Sequence, residues 1–345
     1  MSGISDRKLS HLELCTSSDV EGRGTTLLEE VHLFHDPLPE LSLDEVDPSV
    51  ELFGRRLAAP LVISGMTGGA TVAGEVNRVL AGAAQKLGIA MGVGSQRAML
   101  QDAQLADTYR VRDVAPDVLL FANVGAVQAR ETGVDAIARL VETIAADALC
   151  IHLNPAQELV QDEGDRDFRG CLDAIVTLSR GLSVPVIVKE TGCGFAPGTL
   201  ERLREAGVDW VDVAGAGGTS WTAVEAQRGS QRQRALGAEL WSWGIPTAPS
   251  VVFARAAGLN VIASGGIRSA TDVLRALALG ADAAGLALPF LRAWDEGGSE
   301  AVLEAGTQLV EGLRSLMLLV AARRVGDLRY TPRVLGPSLR SWIER

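Results

Sequence analysis

The 345-residue chain reads as an α/β protein, a (β/α)8 TIM barrel with an N-terminal extension and an insertion after strand six. Three observations predict this class. Eight short, continuous apolar runs each precede a stretch with helical spacing, as parallel strands buried on both faces require. The ends of these runs recur about every 25–35 residues, a usual length for a β/α unit, except for a gap of about 50 between the sixth and seventh. The unusual polar residues and glycine pairs fall just after the runs, at the end of a barrel where such folds carry their chemistry. A doubly wound sheet is the weaker alternative, because no Gly-x-Gly-x-x-Gly opens the first unit.

Residues 1–57 form a polar, acidic extension with short strands expected near 25–34 and 48–53; Pro37, Pro39 and Pro48 exclude one long helix. The first barrel strand, 59–64, runs into Met66-Thr67-Gly68-Gly69 and a helix over 75–87. The second, 89–93, ends in Gly94-Ser95-Gln96-Arg97, and the third, 118–122, ends in Asn123 before a helix over 126–146. On the fourth, 148–153, the strand period turns His152 and Asn154 to the same side; Pro155 then ends the ladder and leaves Gln157 and Glu158 on the turn beyond. A helix over 168–181 follows. The fifth strand, 185–188, delivers Lys189. The sixth, 208–213, delivers Gly217-Gly218-Thr219 and an insertion, 221–249, with a helix over 223–238 that reads as part of a lid or an oligomer contact. The seventh, 260–263, ends in Ser264-Gly265-Gly266-Ile267-Arg268, the eighth, 282–286, in Ala287-Leu288-Pro289, and a long helix over 298–323 closes a single domain, 1–345.

At 47% hydrophobic and 22% charged residues the chain can bury a large core. Its net charge of −11 argues against nonspecific nucleic-acid binding. Cys15, Cys150, Cys171 and Cys193 show no metal or disulfide spacing and read as reduced thiols. The opening residues lack a signal-peptide core and no apolar run approaches ~20 residues, so a cytoplasmic protein without a membrane span is expected.

The glycine loop at 264–268 and the turn at 285–287 present backbone N–H groups of the kind that bind phosphate in this fold, with Arg268 adding a charge. Lys189, one of three lysines, ends an apolar strand, where an ammonium needs an anion. That anion is either Glu190 or Asp212, or the N1–C2=O edge of a reduced flavin. Glu158 is either a solvated carboxylate, with Asp162, Glu163 and Asp165 close behind, or an Mg2+ anchor beside a diphosphate, since Mg2+ takes only one or two protein carboxylates. His152 has no second histidine nearby to build a zinc site. Arg7, Lys8 and His11 form a small basic cluster at the start.

Taken in order, Arg7-Lys8-x-x-His11, Met66-Thr67-Gly68-Gly69, Gly94-Ser95-Gln96-Arg97, Asn123, His152-x-Asn154-x-x-Gln157-Glu158, Lys189, Gly218-Thr219-Ser220-Trp221 and Ser264-Gly265-Gly266-Ile267-Arg268 resemble the type 2 isopentenyl diphosphate isomerases over essentially the whole chain. Leu9-Ser10 departs from the acidic residues common there. The resemblance implies an FMN-dependent, Mg2+-requiring enzyme that interconverts isopentenyl and dimethylallyl diphosphate after its flavin has been reduced, for instance by NADPH. It implies that Met66, Thr67, Gly68, Ser95, Asn123, Lys189, Thr219, Gly265, Gly266, Ile267, Ala287 and Leu288 hold FMN. Arg7, Lys8, Ser95, Gln96, Arg97, His152, Asn154 and Gln157 would hold substrate, with Gln157 and His152 at the reacting atoms and Glu158 on Mg2+. A homo-oligomer with an isoprenoid diphosphate as its small-molecule partner is expected. The rival readings are a hydroxy-acid oxidase, which needs a histidine after the seventh strand where this chain has none, and a non-catalytic binder of flavin or isoprenoid phosphate.

Overall fold

A computed structural model describes the chain path over residues 3–344 and side chains from Arg7 onward. Eight parallel strands close into a barrel: β1 (Leu61–Ile63), β2 (Ala90–Gly92), β3 (Leu120–Gly125), β4 (Ala148–Leu153), β5 (Val186–Glu190), β6 (Trp210–Asp212), β7 (Asn260–Ala263) and β8 (Ala283–Leu286). They follow chain order around the ring, and β8 pairs with β1.

Because side chains alternate along a strand, each apolar run supplies two faces. One set, including Ile63, Leu120, Val124, Leu149, Ile151, Val188, Val211 and Val261, belongs to the large cluster packed under the surrounding helices. The other set, Val62, Phe121, Cys150, Ile187 and Ile262, forms a separate cluster inside the barrel. One step further along those same strands the interior changes character. Asn123, Lys189, Asp212 and Ser264 are buried there instead, with His152 beside them.

An antiparallel hairpin, Val50–Leu52 with Arg55–Leu57, closes the opposite end. Its turn residues Phe53 and Gly54 both have positive φ (50° and 73°), the hairpin geometry that matches strand twist. The Phe53 ring lies 5.8 Å from Phe121 and 4.5 Å from Trp210, so the barrel floor is sealed with aromatic surface. A second pair, Val31–Leu33 with Arg333–Leu335, ties the extension to the C-terminal segment.

Several boundaries differ from the sequence expectation. The extension opens with a helix, Gly3–Ser17. The helix expected over 126–146 is two, Ala126–Thr132 and Val134–Thr143, broken at Gly133 with φ 81°. The insertion also holds two, Trp221–Arg228 and Gln231–Leu240. The closing helix starts earlier, at Leu288, and kinks at Gly297-Gly298. Gln157 and Glu158 lie on a short helix, Pro155–Val160, rather than a turn: Pro155 sits at its first position, where a missing N–H costs nothing. Among the described residues no helix is long and apolar enough to cross a membrane.

The aromatic seal generates a stability prediction. Phe121→Ala is expected to cost about 3–5 kcal/mol, read as an earlier urea-unfolding midpoint.

Candidate active site

The C-terminal ends of the strands open into one large cleft with about 1490 Å³ of free space, its mouth included. Its floor is polar. His152, Lys189 and Asp212 are register partners across β4, β5 and β6. Lys189 Nζ donates to Asp212 Oδ2 at 2.6 Å and to Ser264 Oγ at 3.2 Å, and Ser264 Oγ donates to Asp212 Oδ1. His152 Nδ1 lies 2.7 Å from Asn123 Oδ1, so Nδ1 carries the ring hydrogen and donates it. Burial, with the charges of Lys8, Lys189 and Arg97, pushes the imidazole down to about 3, and it is neutral at physiological pH.

One wall is made of glycine. Gly265 and Gly266 have φ of 97° and 73°, and a Cβ on either would strike the backbone of Gly215 or Gly217. Their loop and Ala287-Leu288, at the start of the closing helix, both line the cleft. Arg268 lines it too, but its guanidinium is held by Glu21 Oε1 at 2.6 and 2.9 Å. Next to it around the ring, Met66, Thr67, Ser95 and Arg97 face the cleft from the ends of β1 and β2.

The roof comes from the extension. Arg7, Lys8, His11, Leu12 and Cys15 recur at helical spacing, fall on one face of the Gly3–Ser17 helix, and all line the cleft. Burial and the neighbouring Arg7 lower Lys8 to about 8. Behind the roof lies Glu225, on the first insertion helix and 3% exposed. Its Oε1 is 3.0 Å from both Gln157 Nε2 and His11 Nε2, and its Oε2 is 3.0 Å from Arg228 Nη1. Burial pushes this carboxyl up, but the His11 and Gln157 hydrogen bonds and the His11 and Arg228 charges outweigh that and hold it below its ordinary value. Sequence reading missed Glu225. The available signal was a carboxylate among Ala223, Val224 and Ala226, on the buried side of its helix.

Glu158 is 6% exposed. Its Oε1 accepts from Asn154 Nδ2 at 2.9 Å and its Oε2 from the Asp165 backbone N–H at 2.7 Å. It is therefore no solvated loop carboxylate. Among the described residues no three His, Cys, Asp or Glu side chains gather into a metal cage. Glu158 lines the cleft, so a cation held by this one carboxylate would take the rest of its shell from water and phosphate oxygens.

Most of the residues singled out from the sequence meet on this cleft; three do not. Gln96 is fully buried, its Oε1 accepting from the Asn123 N–H at 3.0 Å, so its side chain braces β3 and cannot reach a ligand. Gly68 packs against the Tyr109 ring, which a Cβ there would overlap. The Ile267 side chain belongs to the hydrophobic core, leaving only its backbone for a ligand.

The cleft fits a flavin by its own chemistry. Ser64 Oγ and Thr67 Oγ1 are buried with no hydrogen-bond partner in the protein, and both residues line the cleft. Buried polar atoms without partners mark a place where a ligand supplies them. The glycine loop and helix start present backbone N–H groups suited to a phosphate, and Lys189 presents an ammonium at the floor.

A sequence profile of FMN-dependent dehydrogenases matches residues 152–334. The isopentenyl-diphosphate delta-isomerase of Thermococcus onnurineus is 45% identical, covering 98% of this chain and 93% of that one. The enzyme of the same name from Halobacterium salinarum is 46% identical, covering 99% and 96%. Among solved structures, a mandelate oxidase mutant with a monooxide FMN adduct superposes with a TM-score of 0.64 at 18% identity, covering 97% of this chain and 93% of that one. That likeness shows the fold alone. With a barrel of the flavin-enzyme kind and near-full-length identity to these relatives, the chain belongs to the type 2, FMN-dependent isopentenyl-diphosphate delta-isomerase family.

Proposed function

We propose that the protein interconverts isopentenyl and dimethylallyl diphosphate, using FMN reduced beforehand by a soluble hydride donor such as NADPH, and Mg2+. The observation that carries this reading is the meeting, in one cleft, of a cation cluster (Arg7, Lys8, Arg97), a buried Glu158 and a phosphate-type glycine loop. Two separate anion sites on one cleft match a phosphorylated cofactor and a diphosphate substrate. An oxidase reading fails for lack of a histidine beyond His152.

The isomerisation needs a proton delivered to the terminal alkene carbon and another removed from the CH2 on the far side of the double bond. Bound and reduced, FMN would supply that acid/base chemistry and an electron-rich face beside the developing positive charge. The protein's own residues do the rest. Met66, Thr67, Ser95, Asn123, Lys189, Thr219, Gly265, Gly266, Ala287 and Leu288 would hold the cofactor. Arg7, Lys8 and Arg97 would take the diphosphate, and Glu158 would carry Mg2+ against it. This anchoring supplies binding energy remote from the reacting carbons. His152 is neutral, so it orients substrate without adding charge. The Gln157 amide does not titrate near neutral pH. With its Nε2 tied to Glu225, it is held in one orientation and positions the allylic segment. Leu12, on the roof helix, gives the cleft an apolar surface beside the hydrocarbon part of the substrate.

Three outcomes test this reading. In deuterated water the protein with FMN, NADPH and Mg2+ should convert isopentenyl diphosphate to deuterated dimethylallyl diphosphate, and omitting FMN or reductant should abolish it; turnover without flavin sinks the proposal. Glu158→Gln should lose Mg2+-dependent turnover by about 100-fold, a loss of roughly 2.7 kcal/mol, while retaining FMN absorbance. The third concerns pH. An ammonium that binds an anion must be protonated, so kcat/KM is expected to fall as pH rises through about 8, where Lys8 loses its proton in the free enzyme. Lys8→Arg should extend the plateau to higher pH, because guanidinium does not titrate there. An identical pH profile in that variant removes Lys8 from the diphosphate.

A further inference from the structure

Asp212 stands apart from the residues so far given a role. It is 4% exposed and does not line the cleft, yet both its oxygens are used. Oδ2 accepts from Lys189 Nζ at 2.6 Å and Oδ1 from Ser264 Oγ. Lys189 Nζ also donates to Ser264 Oγ at 3.2 Å, closing a three-membered ring across β5, β6 and β7. An ammonium has three N–H donors. Two are spent inside the ring, and the third is left for whatever occupies the cleft that Lys189 and Ser264 line. Glu190, the other carboxylate adjoining Lys189, is turned away: its Oε2 accepts the backbone N–H groups of Thr191 and Gly192, each at 2.6 Å, and that of Cys193. Asp212 is thus the counter-ion of the floor lysine, and a buried ammonium stripped of its counter-ion is strongly disfavoured.

We infer that Asp212 is a positioning residue, which acts on the bound flavin through Lys189 by fixing a charged ammonium against the ring's pyrimidine edge. The inference rests on the FMN reading above. The reduced flavin carries the negative charge and the oxidised ring does not, so the effect falls mainly on the reduced form. Ser264 braces the same carboxylate from β7 and shares the role in lesser measure.

The test is FMN affinity in both redox states, with the midpoint potential measured independently on the holoenzyme. Asp212→Asn keeps the shape of the side chain. It should weaken reduced FMN about tenfold more than oxidised FMN, which for a two-electron couple lowers the potential by about 30 mV. Ser264→Ala should shift it the same way by less. Equal weakening of both redox states, or no change, would mean that Asp212 merely supports the barrel. A raised potential would mean that it acts as a bare negative charge rather than through Lys189. Either result overturns the inference. Should Asp212→Asn not fold, the direction of the shift in Ser264→Ala decides it. A wild-type protein that binds no FMN in either state would instead overturn the FMN reading.

Discussion

The structure depends on the period of two along parallel strands held in register. Each strand spends its outward residues on the helical shell and its inward residues on the barrel lumen. Moving up one strand, the lumen passes from Phe121 to Asn123, from Cys150 to His152 and from Ile187 to Lys189. The apolar layers pin the register, since a slip of one residue would drive the polar layer into the shell. The site's geometry is therefore set by packing two residues below it.

Burial then shapes the electrostatics. Glu190, Lys189, Asp212 and Glu225 are each less than a tenth exposed, and each is hydrogen-bonded. Burial raises Glu190 to about 7 even against three backbone N–H donors. It forces His152 to stay neutral and brings Lys8 toward the physiological range. A site so arranged keeps a titratable positive charge, Lys8, on the roof. Its fixed ion pair stays on the floor.

Roof and floor are joined by the two irregular parts of the chain. The Ser220 N–H donates to the Val20 carbonyl at 2.8 Å and the Gly22 N–H to the Gly218 carbonyl at 2.6 Å. Gly217 leaves room for the backbone of Thr25 and Thr26, which a Cβ would strike. Trp241 Nε1 donates to the Glu21 carbonyl at 2.8 Å, and Glu21 in turn holds Arg268 beside the glycine loop. The extension and the insertion are thus one structure, and the cleft is complete only when both are in place.

The barrel is legible in the sequence because it rests on short-range patterns: continuous apolar runs, their spacing, and glycine or polar residues at strand ends. Residues at those ends, Met66, Asn123, His152, Lys189 and Gly265 among them, group together on sequence grounds, since the fold sends every strand end to the same face. Pairings between distant segments are not legible. That Lys189 meets Asp212 while Glu190 turns to its own loop depends on which face each side chain takes. That Gln96 is a brace and Arg268 is occupied by Glu21 depends on contacts across 27 and 247 residues of chain. Glu225 is hidden for the same reason: its partners Gln157 and His11 lie 68 and 214 residues away. Local periodicity decides which way a strand faces; only the closed barrel, with its roof folded over it, decides what each side chain meets there.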